Sequence, residues 1–228
     1  MKKRVFYTEV AYILGIILLA LGTAMMERAN FGVSMVVAPA YIVYLKLSAA
    51  LPFFTFGMAE YMLQGLLLVV MMLFLRRFRL SYLFSFVTAV IYGFTLDAAM
   101  YVVALLPGVG FAARIAYYVV GMLICAMGIS MLFHTYISPE VYELWVKEMS
   151  AKLNVNIHKY KTGYDCVSCL VGIILSFLLF GFGRFEGVKA GTIFCAFANG
   201  FFISRCTRIF EKIWDFRDGL SLRMFFSN

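Results

Sequence analysis

An ionisable side chain inside an apolar stretch is expensive in a bilayer, so where one persists it marks binding, proton movement or ion pairing. This chain holds a short set of them. Glu27 and Arg28 close the uncharged run Val10–Met26, and Glu60 stands just before the run Tyr61–Leu75. Asp97 is flanked by uncharged residues from Leu80 to Ala113. Glu60 and Gln64 are spaced i, i+4, so on a helix they share one face and can point into one cavity. His134, Asp165 and Asn199 form a second group at the other ends of their stretches. Thr192 and Lys189 lie among Gly187, Gly191 and Gly200, where a broken helix would offer free amides to an anionic group. Residues of these types bind or relay an ion or a small polar solute.

Bond-breaking chemistry finds no motif. The chain has no Gly-x-x-x-x-Gly-Lys phosphate loop, no His-Glu-x-x-His and no Gly-x-Ser-x-Gly elbow, and its two histidines are His134 and His158. Cys166 and Cys169 form a lone pair without further Cys or His ligands, and the five cysteines suit apolar packing. No enzyme, cofactor or metal site is expected. Quieter roles stand beside the site reading: Glu27 and Arg28 as a snorkelling pair, Asp165 as an acid at a helix N-terminus, and Asp97 paired with Arg28. The glycines around residue 191 also suit close helix packing.

The elements that must carry these residues follow from hydropathy. Of 228 residues 64% are hydrophobic and 14% charged, against about 25% charged in soluble domains. A run of about 20 apolar residues spans the hydrocarbon core as a helix, and lipid leaves the backbone no other partners. The pattern predicts an all-α membrane protein, a six-helix transmembrane bundle with spans at about 8–28, 57–75, 80–104, 112–134, 164–182 and 188–206. Residues 1–228 form one membrane domain. The interrupted stretch 29–45, with Gly32 and Pro39, reads as re-entrant or interfacial. Residues 139–153 and the tail 207–228 read as amphipathic helices on the cytoplasmic surface.

The net charge of +8 is topological, since no aromatic-interleaved basic patch points to nucleic acid. With the N-terminus inside, 15 of the 20 basic residues are cytoplasmic and 5 are not. Positive-inside bias therefore predicts a multi-pass membrane protein with both termini in the cytoplasm. The halves also match. Gly15, Ala20 and Gly22 fall on Gly121, Ala126 and Gly128 at an offset of 106, and Glu60 falls near Asp165 at 105. Three spans per half make the repeats, about 8–106 and 112–206, inverted.

The segment Gly187-Val188-Lys189-Ala190-Gly191-Thr192-Ile193, then Asn199-Gly200-Phe201-Phe202-Ile203, resembles the ending of the YczE/YitT-like bacterial membrane proteins. Gly22 and Asn30-Phe31-Gly32-Val33-Ser34 resemble that family's small-residue turn after span one, while Phe201 stands where a proline is usual. The resemblance implies a bacterial plasma membrane and about six spans. The function expected is a small transporter or substrate-binding membrane subunit, its solute site between the halves. It would work with an energising module or as a homo-oligomer. A scaffold or regulator acting through the cytoplasmic amphipathic helices is the alternative.

Overall fold

The computed structural model describes residues 4–107, 110–181 and 186–220, with the backbone alone for Leu80, Ile157 and His158. Residue 182 of the expected fifth span, Arg184, Lys2, Lys3 and residues 221–228 of the expected tail lie outside these. Six helices are long and apolar enough to cross a membrane: α1 (Thr8–Ala29), α3 (Phe56–Leu75), α4 (Leu80–Ala104), α5 (Phe111–Leu132), α7 (Ile157–Phe180) and α8 (Ala190–Ile213). This is a multi-pass membrane protein. Two shorter helices, α2 (Ala38–Ser48) and α6 (Val141–Lys152), interrupt the series, and strands β1 (Arg4–Tyr7) and β2 (Trp214–Arg217) flank it. Local chemistry sets the ends. Asn30 at φ 58° and Arg76 at φ 50° stop α1 and α3 in the left-handed conformation, and the Thr55 side chain caps α3 by accepting from the Met58 amide.

The central seam joins α1 to α5, the heaviest packing in the molecule. Its glycines explain it. A Cβ on Gly22 would lie 2.5 Å from the Gly121 carbonyl, and one on Gly128 would lie 2.8 Å from the Gly15 carbonyl. Gly15 thus faces Gly128 and Gly22 faces Gly121, so the helices run antiparallel with backbones in contact. Without a hydrophobic drive between helices in lipid, this close approach is what holds such a pair.

The short helices are the largest departure from the expected layout. α6 lies beside α3, its first amide (Val141) bonded to Gln64 Oε1 at 3.1 Å and its last residue, Lys152, bonded to the Phe74 carbonyl at 2.6 Å. It therefore runs from half-way along α3 out to the face that carries the termini. Val141, Tyr142, Leu144, Val146 and Met149 are buried, while Lys152 and Leu153 are exposed. A helix laid on the surface along its whole length would expose its first turn. This one sinks that turn because Glu140, Val141 and Tyr142 find polar partners within the bundle. α2 does the same on the opposite side. Ala38 and Ile42 meet α7 beside Gly172, and Lys46 reaches the Phe180 ring at 5.6 Å. At 11 residues and about 1.5 Å each, α2 covers half a membrane and is no seventh span.

The tail also differs from a surface helix. α8 continues to Ile213, and β2 then pairs in parallel with β1, with Arg4 opposite Trp214 and Tyr7 opposite Arg217. Phe6 stacks on Trp214 at 4.8 Å, and Glu9 accepts from Tyr136 Oη at 2.8 Å and from the Leu220 amide at 2.8 Å. Both described ends of the chain are therefore tied to one face.

Candidate functional site

A cavity of about 530 Å³ lies between α1, α4, α5, α7 and α8. Its deep end is closed by the lead-ins to the two short helices, Ser34–Val37 before α2 and Pro139–Glu140 before α6. Thr23, Met26, Tyr92 and Cys125 form buried walls there. Toward the face that carries the termini the lining becomes exposed at Thr162, Gly200 and Ser204. On the side between α7 and α8, Phe197 is 83% exposed.

One polar network stands at the α6 lead-in. Glu60 and Gln64 share a face of α3, as their spacing requires, and both are fully buried. Gln64 Nε2 donates to Glu60 Oε2 at 3.5 Å and to Glu140 Oε2 at 3.3 Å, while Tyr142 Oη donates to Glu60 Oε2 at 3.0 Å. Two carboxylates are thus bridged by one amide. Each keeps a second buried oxygen, Glu60 Oε1 and Glu140 Oε1, with no hydrogen-bond partner among the described residues. Burial, then the charges of Glu143 and Glu60, hold the Glu140 carboxyl well above the usual carboxylate range. A buried carboxyl beside other acids does not ionise readily, so Glu140 holds a proton more readily than an isolated acid does.

Asp165 lines the cavity with Glu143 and Lys161. Lys161 Nζ is 3.3 Å from Asp165 Oδ1 and 3.9 Å from Glu143 Oε1, a three-charge cluster at the mouth. Asn199 joins the lining from α8, its Oδ1 buried and unpartnered among the described residues.

The remaining candidates sit elsewhere. Asp97 accepts from Thr55 Oγ1 at 2.7 Å and from the Gly57 amide at 2.8 Å, so it ties the start of α3 to α4. Arg28 does not pair with it, because its guanidinium turns to the Leu106 carbonyl after α4. Glu27 turns inward and accepts from Tyr41 Oη of α2 at 3.1 Å, rather than reaching out beside Arg28. Lys189 donates to Asn30, and its amide meets Thr192 Oγ1 at 3.4 Å, which fastens the start of α8 to the turn after α1. The Gly191 amide bonds the Phe31 carbonyl at 3.0 Å, so this glycine-rich lead-in is spent on backbone packing. His134 stacks on Phe216 at 4.2 Å, beside the paired strands and outside the cavity lining.

Glu140, Tyr142 and Glu143 escape a sequence reading because charges around a short amphipathic helix read as a solvated face, and Lys161 reads as one more cytoplasmic basic residue. The signal that marks the α6 residues is Pro139 followed by acids in the first turn, the counterpart of Pro39 at the start of α2. The chain belongs to a family of unknown function, DUF6198, whose profile matches residues 6–208. No curated protein and no solved structure matches the chain, so the likeness to YczE/YitT-like proteins rests on the quoted motifs alone.

Proposed function

We propose that this protein is a small transporter, or the substrate-binding membrane subunit of one, for a small polar solute held between two inverted halves. The observation that carries the reading is the cavity itself, lined from both halves and closed at depth by the two half-helix lead-ins. Exchanging α1 with α5, α2 with α6, α3 with α7 and α4 with α8 maps most of the packing pairs onto each other. α2 packs on α7 and α3 while α6 packs on α3 and α7, and α1 packs on α4 while α5 packs on α8. An inverted repeat with half-helices at mid-depth is the layout in which carriers place substrate sites. Glu60, Gln64, Asp165 and Asn199 serve the site, and Glu140, Tyr142, Glu143 and Lys161 join them. Asp97, Arg28, Glu27, Thr192, Lys189 and His134 act on the frame. With the termini in the cytoplasm, the cavity is open inward.

A scaffold needs free amphipathic surfaces. The first turn of α6 is spent inside the bundle and the second candidate region is engaged by the paired strands, which supports transport over scaffolding. Thermal-shift screening of small polar solutes on purified protein tests the reading. At least one solute should raise the melting temperature, and D165N should weaken that response. A cavity cysteine at residue 199 should react with impermeant maleimide from the side of the termini, and be protected by that solute. Silence to every solute, with residue 199 unreactive from both sides, would favour the scaffold.

A further inference from the structure

We infer that the solute is a small organic cation, a primary ammonium with a short apolar tail, which binds against Glu140 and displaces the proton held there. The inference rests on the cavity being a solute site and adds the class of the solute. Three observations carry it.

The first is the balance of charge. The lining holds the acids Glu140, Glu143 and Asp165 and the single base Lys161. Lys161 is already committed to Asp165 and Glu143 at the mouth. The second is an unmet valence. Glu140 is 4% exposed, lines the cavity, and its Oε1 has no hydrogen-bond partner among the described residues. Gln64 serves its other oxygen, and the Val141 amide that follows it is spent on Gln64 Oε1. A buried carboxylate oxygen left in this state lacks a donor, and an ammonium supplies both donor and charge. The third is the wall. Met26, Met35, Val37 and Ile129 line the same space, which suits a short hydrocarbon tail.

The proton balance follows from the network. Glu140 is buried beside Glu143 and Glu60, so in the empty site its carboxyl keeps a proton. The groups facing Glu140 are Tyr142 and Glu143 of α6, Glu60 and Gln64 of α3, Tyr92 of α4, Tyr12 of α1, Cys125 of α5 and Lys161 of α7. Lys161 is the cation among them. When an ammonium arrives with its charge intact, it stabilises the Glu140 carboxylate, and the displaced proton leaves to solvent past Lys161 and Thr162. No bond in the solute breaks.

Matched probes test this. Purified protein is titrated with n-butylammonium, n-butanol and n-butyrate in weak buffer containing a pH indicator. The melting temperature should rise with n-butylammonium alone, with release of about one proton per molecule bound. Its affinity should tighten by up to about tenfold per pH unit through the range where Glu140 titrates. E140Q should remove both the proton signal and the pH dependence. Should E140Q fail to fold, the wild-type pH dependence decides alone. Binding without proton release, or affinity indifferent to pH, overturns the inference. A response to n-butyrate or n-butanol in place of n-butylammonium also overturns it, while leaving the cavity a solute site. Silence to all three probes and to the wider solute screen overturns both readings.

Discussion

Helices α3 and α4 press together through glycine, whereas α7 and α8 stand apart. A Cβ on Gly57 would lie 2.0 Å from the Gly93 carbonyl, while one on Gly200 would meet nothing within 4 Å. Among the described residues α7 and α8 scarcely touch, and the cavity occupies the side that this leaves open. The same residue type therefore does opposite work in the two helix pairs. A glycine in an apolar helix allows contact, but contact forms only where the facing helix offers a matching gap. The difference leaves the bundle with one closed wall and one open one.

The sharpest way to break the comparison is to fill both kinds of glycine. G57L forces a side chain into the Gly93 backbone, and overpacking of this severity costs about 3 kcal/mol. G200L fills open space and replaces a helical glycine, so stability should hold or rise by about 0.5 kcal/mol. Thermal unfolding in detergent reads both. Equal losses would show that α7 and α8 close in solution and that the open wall is not a property of the resting protein.

A step down in size is the network at the α6 lead-in. Q64L removes the donor shared by Glu60 and Glu140 and the acceptor of the Val141 amide, leaving buried polar groups unsatisfied at a cost of about 2 kcal/mol. The same network sets a pH slope. Because the folded Glu140 carboxyl is raised above its unfolded value, its favourable contribution is fully present below the ordinary carboxylate range. It is lost as pH rises toward the folded value. Melting temperature should therefore fall on going from about pH 4 upward into the neutral range, and E140Q should flatten that limb. A slope unchanged in E140Q would assign the dependence to another group.

The six long helices were legible because twenty apolar residues in lipid have one solution, and their ends fell within a few residues of the expected ones except at α7 and α8. Both of those run on past the apolar run, α7 starting at Ile157 and α8 ending at Ile213. The glycines at offset 106 are visible in the sequence as a repeat signal, but that they bring α1 and α5 into contact comes from the structure. Half-helices were not legible. In α6 the charged residues Glu140, Glu143 and Lys147 imitate a surface helix, and the partners that draw its first turn inward, Glu60 and Gln64, lie far away in sequence. Asp97 stands out in the sequence as an acid within an uncharged stretch, but its partner does not. Thr55 and the Gly57 amide lie forty residues off, whereas Arg28 was chosen because its depth matched.

The smallest expected effect falls on that closed wall. Asp97 holds α3 against α4 by accepting from Thr55 Oγ1 and from the Gly57 amide. D97N keeps one acceptor oxygen and loses a charge that favoured the exposed amides of a helix N-terminus, worth about 0.3–1 kcal/mol. T55A removes the cap on the Met58 amide as well as the bond to Asp97, and caps of this kind are worth about 1 kcal/mol. Neither residue lines the cavity, so solute binding should be unchanged when corrected for folded protein. D97N should lower the melting temperature less than T55A does, and neither should alter proton release. If D97N instead abolished binding while folding normally, the closed wall would be part of the transport path, and the division into a frame side and a solute side would fail.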